Sequence, residues 1–140
     1  ANEPDIAYPY LFSYFKGEEW RTQKETQRLL DKYFTTKPDG IPGNDDTGTM
    51  SSWAIFNMIG FYPDCPGLPE YTLTTPVFDK VTIRLVPKWY KEKELVIESN
   101  RAQPGTLYIN KVLLNGKKFN KYRITHDELV HGQHIYFDLK

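Results

Sequence analysis

Thr49-Met50-Ser51-Ser52-Trp53-Ala54-Ile55-Phe56-Asn57-Met58-Ile59-Gly60 is the stretch on which the organisation of this chain turns. Met50, Trp53, Ala54, Ile55, Phe56, Met58 and Ile59 spread around most of a helical circumference. A helix that is apolar on nearly all sides is buried between other elements. Gly60 suits the position just past its C-terminus. Upstream of Gly60 the pattern is helical, and downstream come short alternating runs broken by Pro, Gly and Asn. That order predicts an α+β chain, helices first and then a small antiparallel β-sandwich, divided at residues 1–61 and 62–140.

Two further helices are expected upstream. In Ile6 to Phe15, Ile6, Tyr10 and Tyr14 recur at i, i+4 and i+8, although Pro9 weakens the first turn. In Glu18 to Phe34, Trp20, Leu29, Leu30, Tyr33 and Phe34 supply the apolar side, and Arg21, Lys24, Glu25, Gln27, Arg28 and Lys32 are read as solvated. Glu18 and Glu19 suit the positive end of its dipole, and Thr22 with Glu25 would form a capping box. Three helices cannot cover one that is apolar all round, so either they lean on the sheet or the chain is part of a larger helical domain, and the second is expected.

Downstream, Phe61 to Pro69 reads as a Pro-rich connector. The expected strands are Glu70–Thr74, Lys80–Val86, Glu94–Glu98, Thr106–Leu114, Lys118–Arg123 and His134–Leu139. Val81, Ile83 and Leu85 alternate with Thr82 and Arg84, as a half-buried strand requires. Asn115-Gly116 is the strongest hairpin signal. Loops are expected at 87–93 and 101–105. His126-Asp127-Glu128 and His131 have some of the residue types of a metal site, but Thr125 and Glu128 have capping-box spacing, which predicts a single helical turn.

The 140 residues carry 18 Lys+Arg and 18 Asp+Glu, so the net charge is zero. Neither a nucleic-acid module nor a polybasic membrane-surface protein is expected. No apolar run approaches a membrane span of roughly 18 residues. Residues 1–5 have neither a basic region nor a long apolar run, so no leader is expected there. The single Cys65 excludes an internal disulfide and a cysteine-built zinc site. Aromatic residues make up 15% of the chain; most are expected in the core, though such rings also stack on sugars.

Gly40-Ile41-Pro42-Gly43-Asn44-Asp45-Asp46-Thr47-Gly48 is the densest polar loop. Its carboxylates could act as a general base or bind a hard cation, or simply cap the following helix. Asn2-Glu3-Pro4-Asp5 is a second oxygen-rich cluster.

Asn2-Glu3-Pro4, Glu19-Trp20-Arg21-Thr22-Gln23, the run from Pro38 to Trp53 containing Gly43-Asn44-Asp45-Asp46-Thr47-Gly48-Thr49-Met50-Ser51, Gly60-Phe61-Tyr62-Pro63 and Cys65-Pro66-Gly67 occur in this order. The series resembles the C-terminal part of glycoside hydrolase family 92, calcium-dependent exo-acting α-mannosidases. The resemblance extends through Leu114-Asn115-Gly116 and Ile124-Thr125-His126. It implies that the helices close an (α/α)6 barrel whose remainder lies upstream. It further implies inverting hydrolysis of terminal mannose from glycans, of α-1,2 type. Asp46 matches the general base. Asn44 stands where some members have a second carboxylate, and as an amide it could orient water but not take its proton. Glu3 with Asn2 matches oxygen ligands of Ca2+, while the general acid, a glutamate, lies outside this stretch. A secreted, periplasmic or cell-surface bacterial location is implied too. The alternative is a non-catalytic carbohydrate-binding or structural β-module with attached helices.

Overall fold

The computed structural model describes residues 2–101 and 105–140, so most of the loop expected at 101–105 lies outside the described residues. The chain begins with two 3-10 helices, Glu3–Asp5 and Tyr8–Tyr14, where a short α-helix was expected. Proline stands at the start of each, where its missing N–H costs nothing. Helix α1 runs Glu19–Tyr33, and α2 runs Thr49–Ile59 and ends on Gly60, whose N–H bonds to the Phe56 and Asn57 carbonyls.

Two expectations for α1 are corrected. The helix starts at Glu19, so Thr22 lies inside it and forms no capping box. Gln27 is buried, together with Thr22, Gln23 and Thr26, whereas Trp20 is exposed. Gln23 has a distant partner, since its Oε1 accepts the backbone N–H of Ile109 at 2.9 Å, whereas Thr26 Oγ1 donates to the Thr22 and Gln23 carbonyls and Gln27 to Asp31 within the helix. At Ile109 a polar side chain satisfies a peptide N–H that an aliphatic one would leave unpaired.

The strands are β1 (Phe61–Tyr62), β2 (Glu70–Leu73), β3 (Lys80–Arg84), β4 (Glu94–Ser99), β5 (Ile109–Leu114), β6 (Lys117–Phe119), β7 (Arg123–Thr125) and β8 (His134–Leu139), with helix α3 (His126–Gly132) before the last. They form a sheet in the order β1-β2-β7 and another in the order β3-β4-β8-β5-β6. Asn115 and Gly116 both have positive φ, and the β5–β6 hairpin turns on them as expected. The capping box of Thr125 and Glu128 is also formed.

Three expectations for the β region are corrected. β1 lies inside the expected connector and pairs with β2. The expected strand Lys118–Arg123 is split, because β6 pairs with β5 in one sheet and β7 with β2 in the other. The pairing is not wholly antiparallel, because β8 lies parallel to β4 and antiparallel to β5. A parallel neighbour needs a long crossover, and the chain from β5 through α3 supplies one.

Both sheets feed one apolar cluster, which includes Phe61, Leu73 and Ile124 from the first and Leu95, Ile97, Val112, Ile135 and Phe137 from the second. Phe56 and Ile59 of α2 pack against it. On α2, Trp53 and Ala54 instead join Tyr10 and Leu30 in a second cluster. Helix α2 therefore sits between two cores, as its composition predicts. Not every side is covered: Ile55 is 60% exposed, as are Tyr8, Leu11, Tyr14 and Phe15 to 54–65%.

An ion-pair network joins the helical and β parts. Arg123 Nη2 donates to Asp64 Oδ2 at 2.8 Å, and the Asp64 side chain is 2% exposed. Tyr14 Oη and Thr72 Oγ1 donate to the same carboxylate, and the Arg123 guanidinium lies 4.2 Å from the centre of the Tyr14 ring. Removing one partner of a buried pair leaves the other charge uncompensated. Arg123→Met should therefore destabilise the protein by about 3 kcal/mol, at the low end of such losses because two hydroxyls still serve Asp64. Urea denaturation would measure it, and a loss below about 1 kcal/mol, the scale of an exposed pair, would show that this network does not hold the parts together.

Candidate active site

The loop before α2 is ordered by a division of labour between adjacent aspartates. Asp45 Oδ1 accepts the backbone N–H of Ser51 at 2.8 Å, in the first turn of α2. Helix N-termini leave such donors free, and Asp45 satisfies one across the intervening 3-10 turn Asp46–Gly48. The bonds from Ser51, backbone first, hold the Asp45 carboxyl below its ordinary 3.8. A depressed carboxylate stabilises the fold above its unfolded value, and the contribution is lost as the pH falls through the folded value.

Asp46 is held differently. Its carbonyl accepts the hydroxyls of Thr47 and Thr49, each at 2.7 Å. Thr47 itself has φ 53° and ψ 25°. That left-handed conformation is uncommon for a β-branched residue, and strain of this kind gathers at functional sites. The Asp46 side chain is exposed, and its carboxylate has no hydrogen-bond or ion-pair partner among the described residues. Of the two readings of this loop, capping thus belongs to Asp45, and Asp46 is the carboxylate available to something outside the chain.

The two oxygen-rich clusters of the sequence meet. The Asn44 backbone N–H donates to Asn2 Oδ1 at 3.3 Å. Glu3 is half-buried in the 3-10 turn beside it. Carboxylate and amide oxygens are the donors that a hard cation takes, but calcium takes about six to eight. Among the described residues no group of three or more His, Cys, Asp or Glu side chains converges as a metal site. Asn2 and Glu3 offer oxygen donors of the kind that calcium takes, too few by themselves to complete such a shell. Close by, a groove of about 710 Å³ runs between the 3-10 segment and the helices, lined by Asn2, Tyr8, Leu11, Phe15, Tyr33 and Trp53 among others.

The histidines serve other ends. His126 has a tyrosine hydroxyl at each ring nitrogen, Tyr71 at 2.9 Å and Tyr90 at 3.1 Å. His131 lies between Glu92 and Asp127. The role of Asp45 was not legible in the loop sequence, because its partner is six residues away and matches no local capping pattern.

Known proteins resemble this chain over its whole length. Residues 1–140 match the glycosyl hydrolase family 92 catalytic domain. An "uncharacterized secreted glycosidase" of Arthroderma benhamiae is 30% identical over 132 residues, 94% of this chain and 17% of that protein. The family GH92 alpha-mannosidase BT3965 of Bacteroides thetaiotaomicron, solved in complex with mannoimidazole, superposes with a TM-score of 0.85 at 33% identity, over 99% of this chain and 17% of that one. The family GH92 inverting mannosidase BT2199 of the same organism gives 0.84 at 35% identity, over 99% and 18%. The chain thus spans under a fifth of the length of these relatives. Because the family match covers its whole length and the same fold recurs in two solved relatives, the chain belongs to glycosyl hydrolase family 92.

Proposed function

We propose that the protein carrying this chain is an inverting, calcium-dependent α-mannosidase, of α-1,2 type, that removes terminal mannose from glycans. In this reading residues 1–61 complete a helical catalytic barrel and 62–140 form the β part that follows it. Helices of that barrel, upstream in the protein, cover Tyr8, Leu11, Phe15 and Ile55, whose exposure is unusual for large apolar side chains. The observation that carries the proposal is the Asp46 carboxylate, exposed and without a partner among the described residues while Asp45 caps α2. Two relatives described as mannosidases, one of them as inverting, support the substrate class and the stereochemistry proposed. A relative described as secreted supports a location outside the cytoplasm, at the surface, in the periplasm or secreted; no described helix of this chain is long and apolar enough to cross a membrane.

Inversion is a single displacement. The oxygen of a water attacks the anomeric carbon, the glycosidic C–O bond breaks, and a glutamic acid outside this chain protonates the departing oxygen. Asp46 takes the water's proton. Such an arrangement holds acid and base roughly 6.5–9.5 Å apart, with the water beside the base. Asn44 can orient that water through its amide. Calcium, when bound, supplies positive charge that holds mannose hydroxyls and favours a distorted ring. Glu3 and Asn2 would contribute oxygen ligands to it.

In the full-length enzyme, Asp46→Asn should lower kcat by about 10²–10⁴-fold while calcium affinity and thermal stability stay close to wild type; an unchanged kcat would remove Asp46 from the chemistry. Glu3→Gln should weaken calcium binding, measured by titration calorimetry, and added calcium should partly restore activity. A variant with normal calcium affinity would place the ligands elsewhere. The purified 140-residue chain should release no mannose from an α-mannoside, since the acid is outside it. Measurable turnover would overturn the assignment of an external acid.

A further inference from the structure

The 3-10 segment and α2 meet through polar groups inside an otherwise apolar cluster. Trp53 Nε1–H donates to the Ile6 carbonyl at 3.2 Å. Four residues further along each element, the Tyr10 hydroxyl lies 2.9 Å from Asn57 Oδ1 and 2.6 Å from Asn57 Nδ2. The Asn57 amide also donates to the Trp53 carbonyl at 2.8 Å, which fixes its orientation. Tyr10, Trp53 and Asn57 are at most 2% exposed. Burial pushes the Tyr10 phenol well above its ordinary value, so the hydroxyl keeps its proton.

Apolar residues could fill these places without the cost of desolvating polar groups. Polar ones admit a single register, because a slip along α2 would leave buried donors and acceptors unpaired. The segment needs such a device. Its 3-10 hydrogen bonds are weak, and nothing within it determines where it sits on the helix. Its far end is pinned separately, where Arg123 holds Ser13 and Asp64 holds Tyr14. Its near end carries Asn2 and Glu3, and the N-terminus of α2 continues back into Asp46.

We infer that Trp53, Tyr10 and Asn57 are positioning residues: they hold the segment bearing Asn2 and Glu3 in one register on the helix that leads from Asp46, so that cation ligands and base reach one substrate together. This rests on the reading of Glu3 and Asp46 given above. None of the three touches substrate in this assignment. Each acts through the placement of others.

Trp53→Phe keeps a ring against Phe34 but has no N–H for Ile6, and Tyr10→Phe keeps a ring against Tyr62 but has no hydroxyl for Asn57. Both would be made in the full-length enzyme, with Ile97→Val in the five-stranded sheet as a control for simple destabilisation and Glu3→Gln as the control for the ligand reading. Calcium affinity, melting temperature, and kcat and KM at saturating calcium would be measured for each. A small misplacement of catalytic groups is costly, so Trp53→Phe and Tyr10→Phe should each lower kcat by about tenfold with KM nearly unchanged. They should also weaken calcium binding several-fold, while Ile97→Val lowers only the melting temperature. If the two variants match Ile97→Val in kcat and calcium affinity while Glu3→Gln weakens calcium binding, the contacts are packing alone and the inference is overturned. If Glu3→Gln leaves calcium binding intact, the ligand reading fails instead. The register device then stands on the kcat loss alone, and an unchanged kcat overturns it as well.

Discussion

Helix α2 must satisfy two cores at once, and the arrangement of the rest of the chain depends on that constraint. Trp53 and Ala54 belong to the cluster shared with Tyr10 and Leu30, while Phe56 and Ile59 pack on the cluster between the sheets. A turn of the helix about its axis would strip apolar surface from one core or the other, at about 25 cal/mol for each Å² re-exposed. The helix is therefore fixed in rotation as well as position. The loop at its N-terminus inherits that fixity, and so does the segment laid along Trp53 and Asn57.

The loop places two neighbouring identical side chains in different surroundings. A carboxylate that caps a helix is engaged by donors and its basicity is depressed, as Asp45 illustrates. A carboxylate that must accept a proton needs the opposite, an open face and no strong donor. At Asp46 the carbonyl, rather than the carboxylate, receives the Thr47 and Thr49 hydroxyls, and the side chain is exposed, as the proposed mechanism requires. The left-handed Thr47 belongs to the same arrangement, since it turns the chain between the free aspartate and the helix.

Directional contacts join the β region to the helices alongside apolar packing. Gln23 pairs with the β5 backbone, and Arg123, Asp64, Thr72 and Tyr14 join the two β2–β7 strands, the connector and the 3-10 segment. Apolar contact alone tolerates sliding, whereas buried polar pairs lose their partners when displaced. The mixed sheet suits this role. Its central strand β8 is paired on both sides, and its side chain Phe137 is fully buried.

The sequence by itself determined the order of helices then strands, the burial of α2, the Asn115-Gly116 hairpin, the Thr125–Glu128 capping box and the concentration of oxygen donors in two short stretches. These are local properties: periodicity, turn chemistry and cap spacing act over a few residues. Tertiary structure decided what depends on distant partners. Gln23 of α1 is buried against the Ile109 peptide of β5, and β8 runs parallel to β4 across a long intervening chain. The i, i+4, i+8 spacing of Ile6, Tyr10 and Tyr14 was legible, yet it marks contacts to Trp53, Asn57 and Asp64 along a 3-10 segment rather than an apolar helical stripe. The choice between Asp45 and Asp46 was likewise made in three dimensions. Both have the same chemistry in the sequence, and only the folded backbone brings the Ser51 amide to one and leaves the other open.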